Sequence, residues 1–297
     1  LIQGMTLGGV MLDEVALMPR SFVEQAVARC SLENSKYFFN CNPEHPYHWF
    51  YMEWIKKAKE KQVLYIHFTM DDNPSLSQSV KDRYKSLYSG AFYERFIEGK
   101  WVTAQGLVYP MFSPERHIKK CKGKFNRFYL SCDYGTVNPF SLGLWGECDG
   151  KWFRLDEYYY SGRDNGIQLT DEEYYRELEK LAENREITAL IIDPSAASFI
   201  QTVLRHGKFR VIKANNDVLT GINRVCQALK DEEIFIYPSC TDAIREFSIY
   251  RWDDNIKKDA VKKENDHAMD DIRYFVATVL GRENQNSSFA SVAIERN

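Results

Sequence analysis

Three acidic clusters are the residues in this chain best placed to do chemistry. Asp133 closes the apolar run FYLSCDYG, Asp193 closes ALIIDPSAA, and Asp266, Asp270 and Asp271 crowd NDHAMDDIRY together with His267. A carboxylate inside a buried strand is costly, but at the strand's end it can face a cleft and coordinate a cation. Hard divalent cations prefer carboxylate oxygen, and two of them about 4 Å apart can activate water and stabilise the leaving oxygen at a phosphodiester. The expected chemistry is therefore metal-dependent hydrolysis with Mg²⁺ or Mn²⁺, Asp133 bridging two ions and Asp193 and Asp270 each completing one site. His267 and Asp270 lie three residues apart and Asp266 and Asp270 four apart, so each pair shares a helical face. His267 could complete a coordination sphere or help move a proton. Asp271 is turned by about a hundred degrees from Asp270, so the two cannot point equally into one site. Each acid also has an ordinary role open to it: Asp133 could start a turn, Asp193 could preface a helix capped by Ser195, and Asp266 could be an N-cap.

The elements that must position these acids read as α/β throughout. LGGVMLDE, KYFFNCN and VLYIHFTM are strand-like, and PRSFVEQAVARC and HPYHWFYMEWIKKAKEK helical, an alternation that suggests a parallel sheet. Between residues 103 and 126 the glycine, prolines and basic run mark a change, and the boundary is placed so that 1–115 and 116–297 are two domains. The second domain opens with a strand meander, FYLSCDYG, FSLGLWGE and KWFRLDEYYY. Helix 170–183, strand 187–193, helix 196–205, strand 209–213, helix 219–229, a short IFIYP strand and helix 266–280 follow. That order predicts a ribonuclease-H-like domain with a mixed central sheet flanked by helices. The tail ENQNSSFASVAIERN is polar and expected to be loosely held.

Composition limits the alternatives. With 297 residues and 44% hydrophobic content, two soluble globular domains are expected. No apolar run approaches the roughly 20 residues of a membrane span, and the opening residues lack the charged start of a secretory signal. The seven cysteines are scattered without a CxxC pair, which argues against a zinc cage and a disulfide framework and for a reducing cytosol. A formal charge of −3 is unusual for a protein gripping DNA through a global field, so any nucleic-acid contact must be local. The basic stretch 257–263, with Lys257, Lys258, Lys262 and Lys263 just upstream of the third acidic cluster, supplies the candidate phosphate contacts.

With LDE, NCNP, GLVYPMF, CDYG, IIDPS and NDHAMDDIRY in this order, the chain resembles the large terminase subunit of tailed phages and prophages, over almost its whole length. The resemblance implies an ATP-driven DNA motor fused to a ribonuclease-H-like endonuclease that cuts concatemeric double-stranded DNA during genome packaging. By it, Asp133, Asp193 and Asp270 match the metal-binding acids and His267 a histidine preceding the last of them. VMLDE resembles a Walker B strand, with Asp13 ordering the magnesium shell and Glu14 polarising water, and FFNCNP a coupling strand with Asn40 and Asn42 sensing the γ-phosphate. The departure is that no GxxxxGK[ST] phosphate loop occurs, so ATP chemistry is expected only in a longer protein, of which this chain reads as a C-terminal fragment whose ATPase domain is incomplete. The implied partners are the portal protein and the small terminase subunit, with a ring oligomer at the portal, a monomeric fragment and the bacterial host cytoplasm as location. Other ribonuclease-H-like nucleases of the resolvase or transposase type, and a non-catalytic DNA- or portal-binding module, are the competing readings.

Overall fold

The computed structural model describes residues 4–281 except 89, 137, 254, 257 and 258, so Lys257, Lys258 and the tail 283–297 lie outside the described residues. The chain divides into two compact units, Leu1–Gln105 with Trp252–Ala260, and Gly106–Arg251 with Val261–Asn297. The division falls ten residues before the boundary placed from sequence, and the segment Trp252–Ala260 joins the first unit although it is remote from it along the chain. Residues 106–115 go with the second unit because their backbone is paired there: Val108 N–H donates to the Tyr250 carbonyl at 3.0 Å, and Leu107 bridges Arg251. Trp252–Ala260 is held in the first unit by the buried ion pair of Arg95 with Asp259.

In the first unit β1 (Gly9–Leu12) runs parallel to β2 (Lys36–Phe39), as the alternating pattern requires. The helix Arg20–Ala28 turns Val23 and Ala26 onto a core with Leu12, Val15 and Phe50. The expected third strand, VLYIHFTM, is not one. Leu64, Ile66 and Phe68 are exposed, and Met70 N–H donates to the Ile97 carbonyl at 3.0 Å instead of joining a ladder. An apolar, β-branched run marks a strand only where a neighbouring strand accepts its backbone, and among the described residues this sheet has two strands.

The second unit carries the six-stranded mixed sheet. β3 (Arg127–Asp133), β4 (Phe140–Cys148) and β5 (Lys151–Tyr160) form an antiparallel meander. β6 (Ile187–Ile192) and β7 (Val211–Lys213) lie parallel on the β3 side, and β8 (Ile234–Ile236) lies parallel to β5, giving the order β7-β6-β3-β4-β5-β8. This is the expected ribonuclease-H-like arrangement, an α/β sheet flanked by helices. Strand alternation sends Leu130 and Cys132 to a core shared with Tyr174 and Leu178 of the helix Asp171–Ala182 and with Phe199 and Val203 of the helix Ala197–His206. Ser131 and Asp133 therefore point to the opposite face, where the helix His267–Phe275 packs across β3, β4 and β6. Phe275 stacks flat on Trp145 there, with ring centroids 4.1 Å apart.

Contrary to the expectation of unpaired cysteines, two of them form a disulfide. Cys121 and Cys148, 27 residues apart, are joined as a disulfide, because the loop before β3 returns to the end of the β4–β5 hairpin. A pairing made by tertiary return leaves no short-spacing motif to read. Cys30, Cys41, Cys132, Cys226 and Cys240 are not part of a disulfide.

Candidate functional site

Register brings two of the predicted acids together. Cys132 of β3 is paired with Ile192 of the parallel β6, so Asp133 and Asp193, the next residue on each strand, leave the sheet side by side at one edge. Parallel neighbours end on the same edge, where open α/β sheets hold their ligands. The helix His267–Phe275 supplies the rest by its period: His267, Asp270 and Tyr274 fall on the face turned to that edge, while Ala268, Asp271 and Phe275 turn into the core with no exposed surface.

His267 holds Asp133, its Nδ1 lying 2.8 Å from Asp133 Oδ2, and its Nε2 lies 3.8 Å from Asp266 Oδ1. Tyr274, which sequence reading passed over inside its own motif, donates its hydroxyl to Asp193 Oδ2 at 2.9 Å, and Ser195 N–H donates to Asp193 Oδ1 at 2.6 Å. Its spacing of four from Asp270 and seven from His267 was the available signal. Arg273, nearly fully buried, donates from Nη2 and Nε to Asp270 Oδ1 at 2.9 and 3.2 Å, leaving Oδ2 toward the site. A Cβ on Gly221 would lie 2.6 Å from the Arg273 side chain, so the glycine makes room for it. Lys263 stands 3.4 Å from Asp266 Oδ2 and 3.6 Å from Asp270 Oδ2. Lys262 is half-buried, and its backbone N–H donates to the Arg251 carbonyl.

Asp271 is placed differently. It is fully buried beneath the sheet, accepting from Ser131, from Ser141 Oγ at 2.9 Å and from Arg154 Nη2 at 2.7 Å. Trp145 Nε1 extends the network by donating to Ser131 Oγ at 2.8 Å. Gly143 on β4 is required here, since a Cβ would occupy the Arg154 guanidinium's space. Asp271 is thus tied into the core, away from the edge where Asp133 stands.

Asp266 sits at the N-cap position, but its side chain makes no cap hydrogen bond. Glu246, from the helix Thr241–Ile249, does that work from outside, accepting from Ala268 N–H at 2.8 Å and Met269 N–H at 3.4 Å, and from the Tyr159 hydroxyl at 2.7 Å.

Burial pushes the Asp133 carboxyl up to about 6, against the lowering hydrogen bond from His267. Burial would lower His267, but its hydrogen bond and charge interaction with Asp133 outweigh this and raise it. Burial also acts upward on Asp193, yet the hydrogen bonds from Ser195 and Tyr274 hold it below the usual carboxylate range. Asp266 is raised, first by burial and then by the neighbouring Asp270 charge. Asp133, Asp266 and Asp270, with His267, open onto a cavity of about 1040 Å³ lined also by Tyr159, Arg163, Arg245 and Lys263; Asp193 is not among its lining residues. The donor set, all hard carboxylate oxygen with one imidazole, fits Mg²⁺ or Mn²⁺ in type. In arrangement it does not converge: among the described residues no three His, Cys, Asp or Glu side chains are grouped to hold a metal. Each carboxylate instead leans on a protein partner, Asp133 on His267, Asp193 on Tyr274, Asp270 on Arg273.

In the first unit the motor-like residues also meet. Glu14, at a left-handed φ of 51°, donates its N–H to Asn40 Oδ1 at 2.9 Å and accepts from Asn42 Nδ2 at 3.0 Å, whereas Asp13 is exposed.

The comparisons with known proteins agree over both units. Residues 1–115 match the family model for the large terminase subunit, T4likevirus-type, N-terminal. The chain is 49% identical to the large terminase of a thermophilic bacteriophage, with a TM-score of 0.86 over 94% of this chain and 70% of that one. The same thermophilic phage protein, matched at a TM-score of 0.85, has been solved in complex with ATP-γ-S. The terminase large subunit of Escherichia phage T5 is 20% identical over 229 residues, 72% of this chain and 51% of its own length. The chain thus spans about half the length of the curated relative it matches. Among the described residues no helix is long and apolar enough to cross a membrane.

Proposed function

The chain belongs to the large-subunit family of terminases, and from that premise we propose that its second unit is a divalent-metal-dependent endonuclease cutting double-stranded DNA concatemers during viral genome packaging. The observation that carries the reading is that Asp133 and Asp193 each directly follow the paired Cys132 and Ile192 at one sheet edge, with the His267 and Asp270 face of a buried helix beside Asp133. Asp133, Asp193 and Asp270 are the proposed ligands, with His267 and Asp266 as neighbours able to join them. When bound, Mg²⁺ or Mn²⁺ would supply an activated water and neutralise charge at the leaving oxygen.

The chain's own groups have separable tasks. His267 keeps Asp133 turned to the cavity, Tyr274 and Ser195 fix Asp193, and Arg273 fixes Asp270 from the buried side. Such supporting hydrogen bonds set the orientation and basicity of metal ligands. Arg163, Arg245 and Lys263 on the cavity wall provide the local positive charge that a chain of formal charge −3 needs to receive a phosphodiester. Portal protein, small terminase subunit, ring assembly, ATP use and the bacterial host cytoplasm belong to the longer protein this reading assumes.

One observation favours a non-catalytic DNA- or portal-binding module instead: among the described residues the acids do not converge on a metal position as they stand. Supercoiled plasmid incubated with Mn²⁺, Mg²⁺ or chelator separates the two. Nicking and linearisation are expected with either cation, none with chelator, and none from Asp133→Ala or Asp193→Ala. Cutting that survives chelator or both substitutions would overturn the mechanism, and no cutting by the wild type under any cation would favour the binding module.

A further inference from the structure

The partner of Asp266 and Asp270 on the open side of the site is a cation that the protein itself carries. Lys263 lies three residues before Asp266, its side chain 68% exposed, while the side chains of Asp266 and Asp270 are 5% and 10% exposed. Its Nζ stands 3.4 and 3.6 Å from their Oδ2 atoms. Those distances exceed the 2.7–3.2 Å of a good N–H···O bond, so the ammonium is held loosely, by charge and by a long hydrogen bond to Asp266. The other side of Asp270 is already filled by Arg273, and His267 stands between Asp133 and Asp266. The Oδ2 atoms of Asp266 and Asp270 are thus the oxygens that face the cavity, and Lys263 covers them. Among the described residues the same site lacks a ready grouping of three metal ligands.

We propose that Lys263 is a displaceable internal counter-ion, occupying the Asp266–Asp270 half of the site and leaving it when a divalent cation enters. This rests on the metal-centre reading and adds to it that cation binding is a competition with a tethered lysine. The stem is exposed, so the ammonium can move to the cavity without unpacking the core. Both the lysine and the incoming cation are positive, and two such charges a few Å apart in a partly wet site repel appreciably. Removing one should therefore tighten the other.

Mn²⁺ titration followed by calorimetry or by the free-ion EPR signal tests this without reference to cleavage. Lys263→Met should bind Mn²⁺ about tenfold more tightly than the wild type, and Lys263→Arg, which keeps the charge, should stay within about threefold of it. Thermal unfolding of the metal-free variants checks that both fold. An unchanged or weaker affinity in Lys263→Met, in a protein that does bind Mn²⁺, overturns this inference alone. Absence of Mn²⁺ binding by wild type and variant alike overturns it together with the metal-centre reading.

Discussion

Asp270 and Asp271 are adjacent in sequence and do unrelated work, because one helical step of about a hundred degrees carries a side chain from the sheet edge into the core. Asp271 accepts from Arg154, Ser131 and Ser141 with no solvent, so its loss takes one of two buried carboxylates from the Arg154 guanidinium, the other being Glu157 at 3.3 Å. Removing one member of a buried ion pair costs about 3–5 kcal/mol. Asp193 is half-buried at the end of β6; when it goes, Ser195 is exposed and can turn to water, while the buried Tyr274 hydroxyl loses one acceptor. Asp271→Ala should therefore lower unfolding stability by about 3–5 kcal/mol, whereas Asp193→Ala should lower it by about 1 kcal/mol and abolish plasmid cleavage. Denaturant melts and a cleavage assay on the two variants check this; equal stability losses would sink the division of labour. The sequence allowed this much, that the two could not share a site, since helical geometry is local. It did not show which acid was buried, since that depends on Ser131 and Ser141 on strands far away along the chain, and on Gly143 leaving room for Arg154.

At the scale of elements, the site depends on how the helix His267–Phe275 begins. The first turn of any helix leaves N–H groups without partners, and the usual remedy is a side chain at the N-cap. Asp266 holds that position but is turned to His267 and Lys263, and Glu246 on a neighbouring helix serves Ala268 and Met269 instead. Glu246→Ala should cost about 1–3 kcal/mol, with buried N–H groups left unsatisfied, and should depress cleavage by loosening the turn that carries His267. Burial raises the Glu246 carboxyl above the usual range. The folded protein therefore holds that proton more firmly than the unfolded chain, and the associated stability is present at acid pH and lost as pH rises through the raised value. In Glu246→Gln, which cannot ionise, the melting temperature should shift relative to wild type in the variant's favour as pH rises from about 4.5 to 8. A pH-independent difference would remove Glu246 from the account. Strand ends and helix period were readable because they are written in neighbouring residues. A cap supplied from a helix more than 20 residues back, like the failure of VLYIHFTM to find a strand partner, is decided by tertiary neighbours that one segment cannot reveal.

For the whole molecule, the two units hold unequal parts of their sites. In the second, acids, supporting donors and basic cavity wall are all present in this chain. In the first, Asn40 and Asn42 are each hydrogen-bonded to Glu14 just beyond the ends of β1 and β2, but no GxxxxGK[ST] loop supplies the amides and lysine that cradle phosphates. Glu14 is thus satisfied by asparagines. It follows that this chain alone should release no phosphate from ATP above a protein-free control. ATP at millimolar concentration should leave plasmid cleavage unchanged once the divalent cation it chelates is replaced, and Glu14→Ala should cut DNA as the wild type does. Phosphate release assays and matched cleavage time courses measure both. ATP turnover that falls in Glu14→Ala would mean that the phosphates are held by groups other than the loop that usually holds them, and the separation of cutting from the motor would have to be given up.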